Sequence, residues 1–195
     1  MTLVHRDESV LVVVDAQPGF YARANLDPRD ETTLRTALER AAWLSRVAAV
    51  LEIPAVITEE DPGRKGPTDA AIKEALPAST PVFDKPTFGL TGTPEILAAV
   101  KAPGRSTAVI VGLETDVCVV QSAVGLIDAG LRAVIVDDAA FSPGEMHARG
   151  LARAAAAGVE LNHCKGVAYE WLRELQTSRS VLGSSPELAQ APLRL

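Results

Sequence analysis

The chain has 195 residues, 47% of them hydrophobic and 23% charged, and a formal net charge of −6. That length suits one domain, residues 1–195, with a full core, and the acidic balance argues against a nucleic acid or an anionic membrane as partner. No apolar run approaches the roughly 18 residues of a membrane span. The N-terminal MTLVHRDESV lacks a signal's apolar centre, and the two cysteines are too few for a disulfide framework or a cysteine zinc site, so a reducing cytoplasmic setting is expected.

The first strand is expected at Val10 to Val14, a wholly apolar run ending at Asp15 in VLVVVDAQPGF, after which Pro18 and Gly19 turn the chain. Asp27 to Arg29 lead into a long helix whose apolar face takes in Leu34, Leu38, Ala41, Ala42 and Val50. Pro54 to Thr58 reads as a second strand, followed by the polar loop EEDPGRKGPTD and a short helix through Leu76 capped by Thr68 or Asp69. A third strand, Pro81 to Asp84, ends at Lys85 in VFDKPTFGLTGTPE, and Thr93 opens a helix with Pro94 in its first turn.

Residues 108–130, AVIVGLETDVCVVQSAVGLIDAG, carry the most information. Ala108 to Val111 is apolar and rich in β-branched residues, as in a parallel strand covered on both faces. From Val117 the period changes: Val117, Val120, Val124 and Ile127 share one helix face, which Gly130 stops. With Thr115 or Asp116 as N-cap, Cys118 falls in the first helical turn. There the unpaired N–H groups and the helix dipole favour a thiolate. A fifth strand is expected at Ala133 to Val136, ending in Asp137 and Asp138, then an alanine-rich helix at Glu145 to Ala157. A sixth strand at Val159 to Leu161 and a helix at Gly166 to Leu175 follow, and the Ser- and Pro-containing residues 176–195 are expected as an arm or tail outside the core.

Strands alternating with helices imply a parallel sheet with right-handed crossovers and helices on both faces. Ligands of such sheets bind beyond the carboxyl ends of the strands. Asp15, Lys85 and Cys118 all take such positions. Singly they read as a turn cap, a solvated charge and a small buried hydrophobe; their coincidence at one end of one sheet points to chemistry.

These stretches resemble the isochorismatase-like cysteine hydrolases, which include nicotinamidases and N-carbamoylsarcosine amidase. VVVDAQPGF is similar to their first-strand D-x-Q-x-x-F signature, FDKPTF to their lysine loop and GLETDVCVVQSA to their G-x-x-T-D-x-C-V turn, in the same order. The resemblance runs from about residue 10 to residue 175. It implies a three-layer α/β/α fold with a six-stranded parallel sheet in the Rossmann-like order 3-2-1-4-5-6. It also implies an Asp15–Lys85–Cys118 triad and a cis peptide between Leu113 and Glu114 that turns the amides of Glu114 and Cys118 toward an oxyanion. Gln17, Phe20, Phe88 and Glu114 are the expected substrate contacts, with ordinary core aromatics the alternative for Phe20 and Phe88 and a neighbouring chain the alternative for Glu114; the partner is a small-molecule substrate with no cofactor, and the assembly is a homo-oligomer.

Nicotinamidases carry an Asp-x-His metal motif with a further histidine after the second strand. ITEEDPGRKGP has no histidine, so no transition metal is expected and nicotinamide is discounted. Glu59, Glu60 and Asp61 could hold a hard cation through oxygens or stand as a solvated run. Relatives that cleave the vinyl ether of isochorismate can lack the cysteine, so Cys118 favours acyl chemistry. The expected activity is hydrolysis of a small amide or carbamoyl C–N bond through a Cys118 thioester. A vinyl ether hydrolase, or a silent binding or assembly module, is the alternative. His147, His163 and Cys164 are expected to serve packing or surface only. A phosphorelay receiver fits poorly, because Lys85 follows the third strand and Asp15 stands without a paired acid, and no G-x-G-x-x-G follows the first strand to suggest a dinucleotide.

Overall fold

The computed structural model describes residues 2–22 and 26–190. In chain order its main elements are β1 (Ser9–Val14), α1 (Pro28–Val50), β2 (Ala55–Glu59), α2 (Pro62–Lys65), α3 (Ala70–Ala75), β3 (Val82–Asp84) and α4 (Pro94–Lys101). They continue with β4 (Thr107–Leu113), α5 (Val120–Asp128), β5 (Arg132–Phe141), α6 (Met146–Ala156), β6 (Glu160–Asn162), α7 (Cys164–Leu172), α8 (Leu175–Leu182) and α9 (Pro186–Ala189). The six strands form one sheet in the order β3-β2-β1-β4-β5-β6, and every neighbouring pair is parallel. This is the three-layer α/β/α architecture expected from the sequence.

The unbroken apolar runs of β1 and β4 follow from burial on both faces. Val10, Val12 and Val14 join Ala108 and Ile110 in one core with α4 and α5, whereas Leu11 and Val13 join Val109 and Val111 in a second core against α1 and α7. Pairing Val10 with Ala108 and Val12 with Ile110 fixes that register, and a slip of one residue would exchange the two faces.

Asp27 caps α1 by accepting from the N–H groups of Arg29 and Asp30, both at 2.9 Å, with Pro28 in the first turn. The buried face runs through Ala41, Leu44, Val47 and Ala48; Val50, expected on it, is 48% exposed. At about 100° per residue Val50 falls well round the helix from Leu44.

Two expectations are corrected along the chain. β5 does not stop at Asp137 but reaches Phe141, because its pairing with β4 shifts between Ile110–Ile135 and Gly112–Ala140, and the bulge holds Asp137 and Asp138 inside the strand. The expected C-terminal arm instead folds back: α7 ends at Leu172 with Arg173 at φ 60°, and α8 and α9 follow. Val181 and Leu188 enter the α1–α7 core, and the Trp43 indole donates to the Leu188 carbonyl at 3.1 Å. Residues 191–195 lie outside the described residues. Among the described residues, no helix is long and apolar enough to cross a membrane.

Candidate active site

The carboxyl ends of β1, β2 and β3 and the turn after β4 converge on one buried cluster. Asp15 follows β1 in the left-handed region at φ 48°, and its N–H donates to Thr58 O at 3.0 Å, which carries the β1–β2 ladder one step further. Its side chain is fully buried. Oδ1 accepts from the Thr58 hydroxyl at 2.7 Å, and Oδ2 lies 2.9 Å from Lys85 Nζ.

Lys85 follows β3 directly, with its N–H on Glu59 O at 2.8 Å. Its buried ammonium donates to Thr87 O at 2.6 Å and Phe88 O at 2.9 Å. The 2.9 Å contact to Asp15 Oδ2 is an ion pair without hydrogen-bond alignment, and Oδ2 accepts no aligned donor. Burial raises the Asp15 carboxyl above its ordinary range, and Lys85, Thr58 and Cys118 pull it only part of the way back.

Cys118 is not in the first turn of an ordinary α-helix. Residues Thr115–Val119 form one π-helical turn ahead of α5, after a cis peptide at Leu113–Glu114, and no side chain caps it. The two expected caps are engaged elsewhere: Thr115 Oγ1 pairs with His147 Nδ1 at 2.9 Å, and Asp116 Oδ1 accepts from the Ser142 hydroxyl at 2.6 Å. These contacts tie the turn to α6 and to the residue after β5. A Cβ at Gly150 of α6 would meet Asp116 Cα at 2.7 Å, so the helix and the turn approach closely.

The Cys118 thiol is 2% exposed and donates to Glu60 Oε2 at 3.2 Å. One ligand-type atom from each of Asp15, Glu60 and Cys118 lies within 4.8 Å of the others. Burial pushes the thiol well above its ordinary range; Asp15 adds to that, Lys85 opposes it, and the Glu60 contact raises it further. Burial beside two carboxylates thus favours the thiol and works against the thiolate that the helix end favours. The three atoms are spaced for a thiophilic cation, but the Lys85 ammonium competes for the same Asp15 carboxylate.

Glu60, expected only as part of an acidic run, is held from two sides. Lys65 Nζ pairs with its Oε1 while lying 3.9 Å above the Phe20 ring. The Glu60 N–H donates to Gln17 Oε1 at 2.7 Å, and Gln17 Nε2 returns to Glu60 O at 3.2 Å and Gly66 O at 2.6 Å. Burial works against its charge, yet Lys65 and the Cys118 thiol hold the Glu60 carboxyl below its ordinary range. Its neighbours in the run differ. Glu59 accepts from the Thr68 N–H at 2.8 Å, and Asp61 starts α2 at φ 45° beside Arg64.

A cavity of about 740 Å³ opens beside this cluster, lined in part by Glu60, Asp61, Asp84, Lys85 and Phe88. Of the expected substrate contacts, only Phe88 lines it, with 55% of its surface exposed. Gln17 is spent on the Glu60 loop, Phe20 lies under Lys65, and Glu114 accepts from the Tyr21 hydroxyl at 2.9 Å. These three do not line this cavity. Thr58 and Glu60 are the members that sequence reasoning missed, although both stand at the carboxyl end of β2, where the strand-end rule points. Cys164 packs in the α1–α7 core as expected.

The sequence pattern of the isochorismatase domain matches residues 9–163. Isochorismatase domain-containing protein 2 of Rattus norvegicus is 27% identical over 169 residues, covering 86% of this chain and 75% of that protein. The structure of the YcaC gene product from Escherichia coli, described as an octameric hydrolase of unknown specificity, superposes with a TM-score of 0.82 at 22% identity, over 94% of this chain and 89% of that one. N-carbamoylsarcosine amidase from Thermoplasma acidophilum superposes with a TM-score of 0.63 at 20% identity, over 80% and 96% of the two chains.

Proposed function

The chain belongs to the isochorismatase domain family, a family of hydrolases, and from that premise we propose that it hydrolyses a small amide or carbamoyl C–N bond through a Cys118 thioester. The observation that carries this reading is the Cys118 sulfur within 4.8 Å of a buried Asp15 carboxylate, which is itself 2.9 Å from a buried lysine. A carboxylate with raised proton affinity and an unaligned Oδ2 is suited to take a thiol proton.

In the first half-reaction the proton of Cys118 passes to Asp15 while the sulfur bonds to the carbonyl carbon. Lys85 holds the Asp15 carboxylate in place and offsets the negative charge that builds on sulfur. The oxyanion is received by the backbone amides of Glu114 and Cys118, two donors worth on the order of 100-fold or more each. Asp15 then returns its proton to the departing nitrogen, the C–N bond breaks and an amine or ammonia leaves. In the second half a water gives a proton to Asp15 and its oxygen to the thioester carbon. The S–C bond breaks, the thiolate regains the proton and the acid departs.

The octameric description of the Escherichia coli neighbour supports a homo-oligomer here. The testing experiment is a hydrolysis screen of small primary amides, N-carbamoyl compounds and esters with wild type, Cys118→Ala and Asp15→Asn. At least one amide or carbamoyl compound turns over, and both substitutions lower its rate by 100-fold or more. A panel with no turnover sensitive to Cys118→Ala would favour the binding-module alternative.

A further inference from the structure

The hydrolysis scheme leaves Glu60 unused, and its position is unusual. It lines the open cavity and also accepts the Cys118 S–H, whereas Cys118 itself is 2% exposed. Glu60 thus links the cavity wall to the sulfur. The Glu60 main chain is fixed by the reciprocal pair with Gln17, and its Oε1 is occupied by Lys65, which rests on Phe20. Oε2 is the oxygen that accepts the thiol, so sulfur and an incoming donor meet at the same atom.

We propose that Glu60 is the specificity-determining residue of this site: it selects ligands that bring an N–H donor beside their electrophilic carbon, and by sharing Oε2 with that donor it weakens its hold on the Cys118 thiol. This rests on the hydrolase reading above only for the identity of the ligand as a substrate. The chemistry that fits is an uncharged or cationic group such as a primary amide, a ureido group or an amidine. An ester has no donor to exchange for the S–H. A carboxylate brings no donor to Glu60 and sets like charges against each other at Oε2. Once its hydrogen bond to Glu60 is broken, the S–H is free to turn to Asp15 Oδ2, which has no aligned donor of its own. The cost of the exchange is small, because one hydrogen bond to a carboxylate replaces another. A ligand without a donor leaves the S–H on Glu60, so attack must first break a hydrogen bond to a carboxylate, worth roughly a tenfold or larger penalty.

The test uses two alkylating probes that share one electrophile, iodoacetamide and 2-iodo-N,N-dimethylacetamide. In each, the S–C bond forms as the C–I bond breaks, iodide leaves and the thiol proton passes to Asp15. Rates at Cys118 are read by peptide mass mapping and divided by the rates of the same reagents with glutathione, which removes intrinsic reactivity. In wild type the normalised rate is expected to favour iodoacetamide by tenfold or more. In Glu60→Gln that preference is expected to shrink to a few-fold, and in Glu60→Met, which has no acceptor oxygen, to disappear as the dimethyl reagent speeds up. A preference that persists in both variants would assign the discrimination to the cavity walls and overturn the proposal, as would no preference in wild type. Because alkylation needs no turnover, a failed hydrolysis screen with a Glu60-dependent preference refutes the hydrolase reading alone. Turnover with a Glu60-independent preference refutes this inference alone.

Discussion

Replacing Lys85 with methionine isolates the physics that holds the cluster together. Methionine fills much of the space of the lysine stem but leaves Asp15 fully buried without its 2.9 Å ion pair. Removing one partner of a buried pair costs about 3–5 kcal/mol when the other remains charged. The lost hydrogen bonds to Thr87 O and Phe88 O add roughly 1 kcal/mol each, independent of pH. Asp15 can escape part of the first penalty by binding a proton. Its folded pKa is already raised from 3.8 by burial, and loss of Lys85 raises it further. The folded state then holds the proton where the unfolded state has released it, so stability is fully present below pH 3.8 and falls as pH rises through the folded pKa. The slope approaches 1.4 kcal/mol per pH unit, against a shallower fall of the same sign in wild type. Urea denaturation of wild type, Lys85→Met, Asp15→Asn and the double variant at pH 5, 6 and 7 reads all of this. The double variant should recover most of the pH-dependent loss, with a coupling near 2–4 kcal/mol at pH 7. A Lys85→Met protein within 1 kcal/mol of wild type at pH 7 and flat with pH would refute the reasoning.

Three further outcomes follow from the same structure. Gly112 sits at φ 127° with the place of a Cβ 1.9 Å from Val14 O, so Gly112→Ala should cost at least about 3 kcal/mol in thermal or urea unfolding; a loss under 1 kcal/mol would contradict the close β1–β4 approach. Leu188→Ala should cost about 2–4 kcal/mol, because Leu188 packs in the α1–α7 core, and a neutral result would show α9 detached. Burial lowers the His147 pKa from 6.5 against the pull of Asp137 and Asp116, so the stability it contributes is present above pH 6.5 and lost as pH falls through its folded value. His147→Gln should flatten that acid limb between pH 6.5 and 5, and an unchanged slope would remove His147 as its source.

The sheet order and the positions of Asp15, Lys85 and Cys118 were legible because both depend on short-range pattern. Apolar runs of strand length mark buried parallel strands, and the residue after each run marks the ligand-binding end. Glu60 was hidden by its neighbours: three consecutive acids read as one solvated run, yet Glu59 turns to the Thr68 N–H, Glu60 to sulfur and Asp61 into a left-handed turn. The forces on the thiol are only partly legible, because a dipole argument is local, whereas burial and carboxylates from two other strands arrive only with the fold. The bulge in β5 and the return of α8 and α9 also depend on partners distant in sequence, Gly112 and Trp43.

The central claim is that Cys118 carries an acyl group during turnover, and intact-mass analysis after rapid acid quench tests it most directly. With an amide or N-carbamoyl compound that turns over, the account predicts a mass increase equal to the acyl portion, mapped to Cys118 and absent in Cys118→Ala. Steady turnover with no adduct, undiminished in Cys118→Ala, would contradict it.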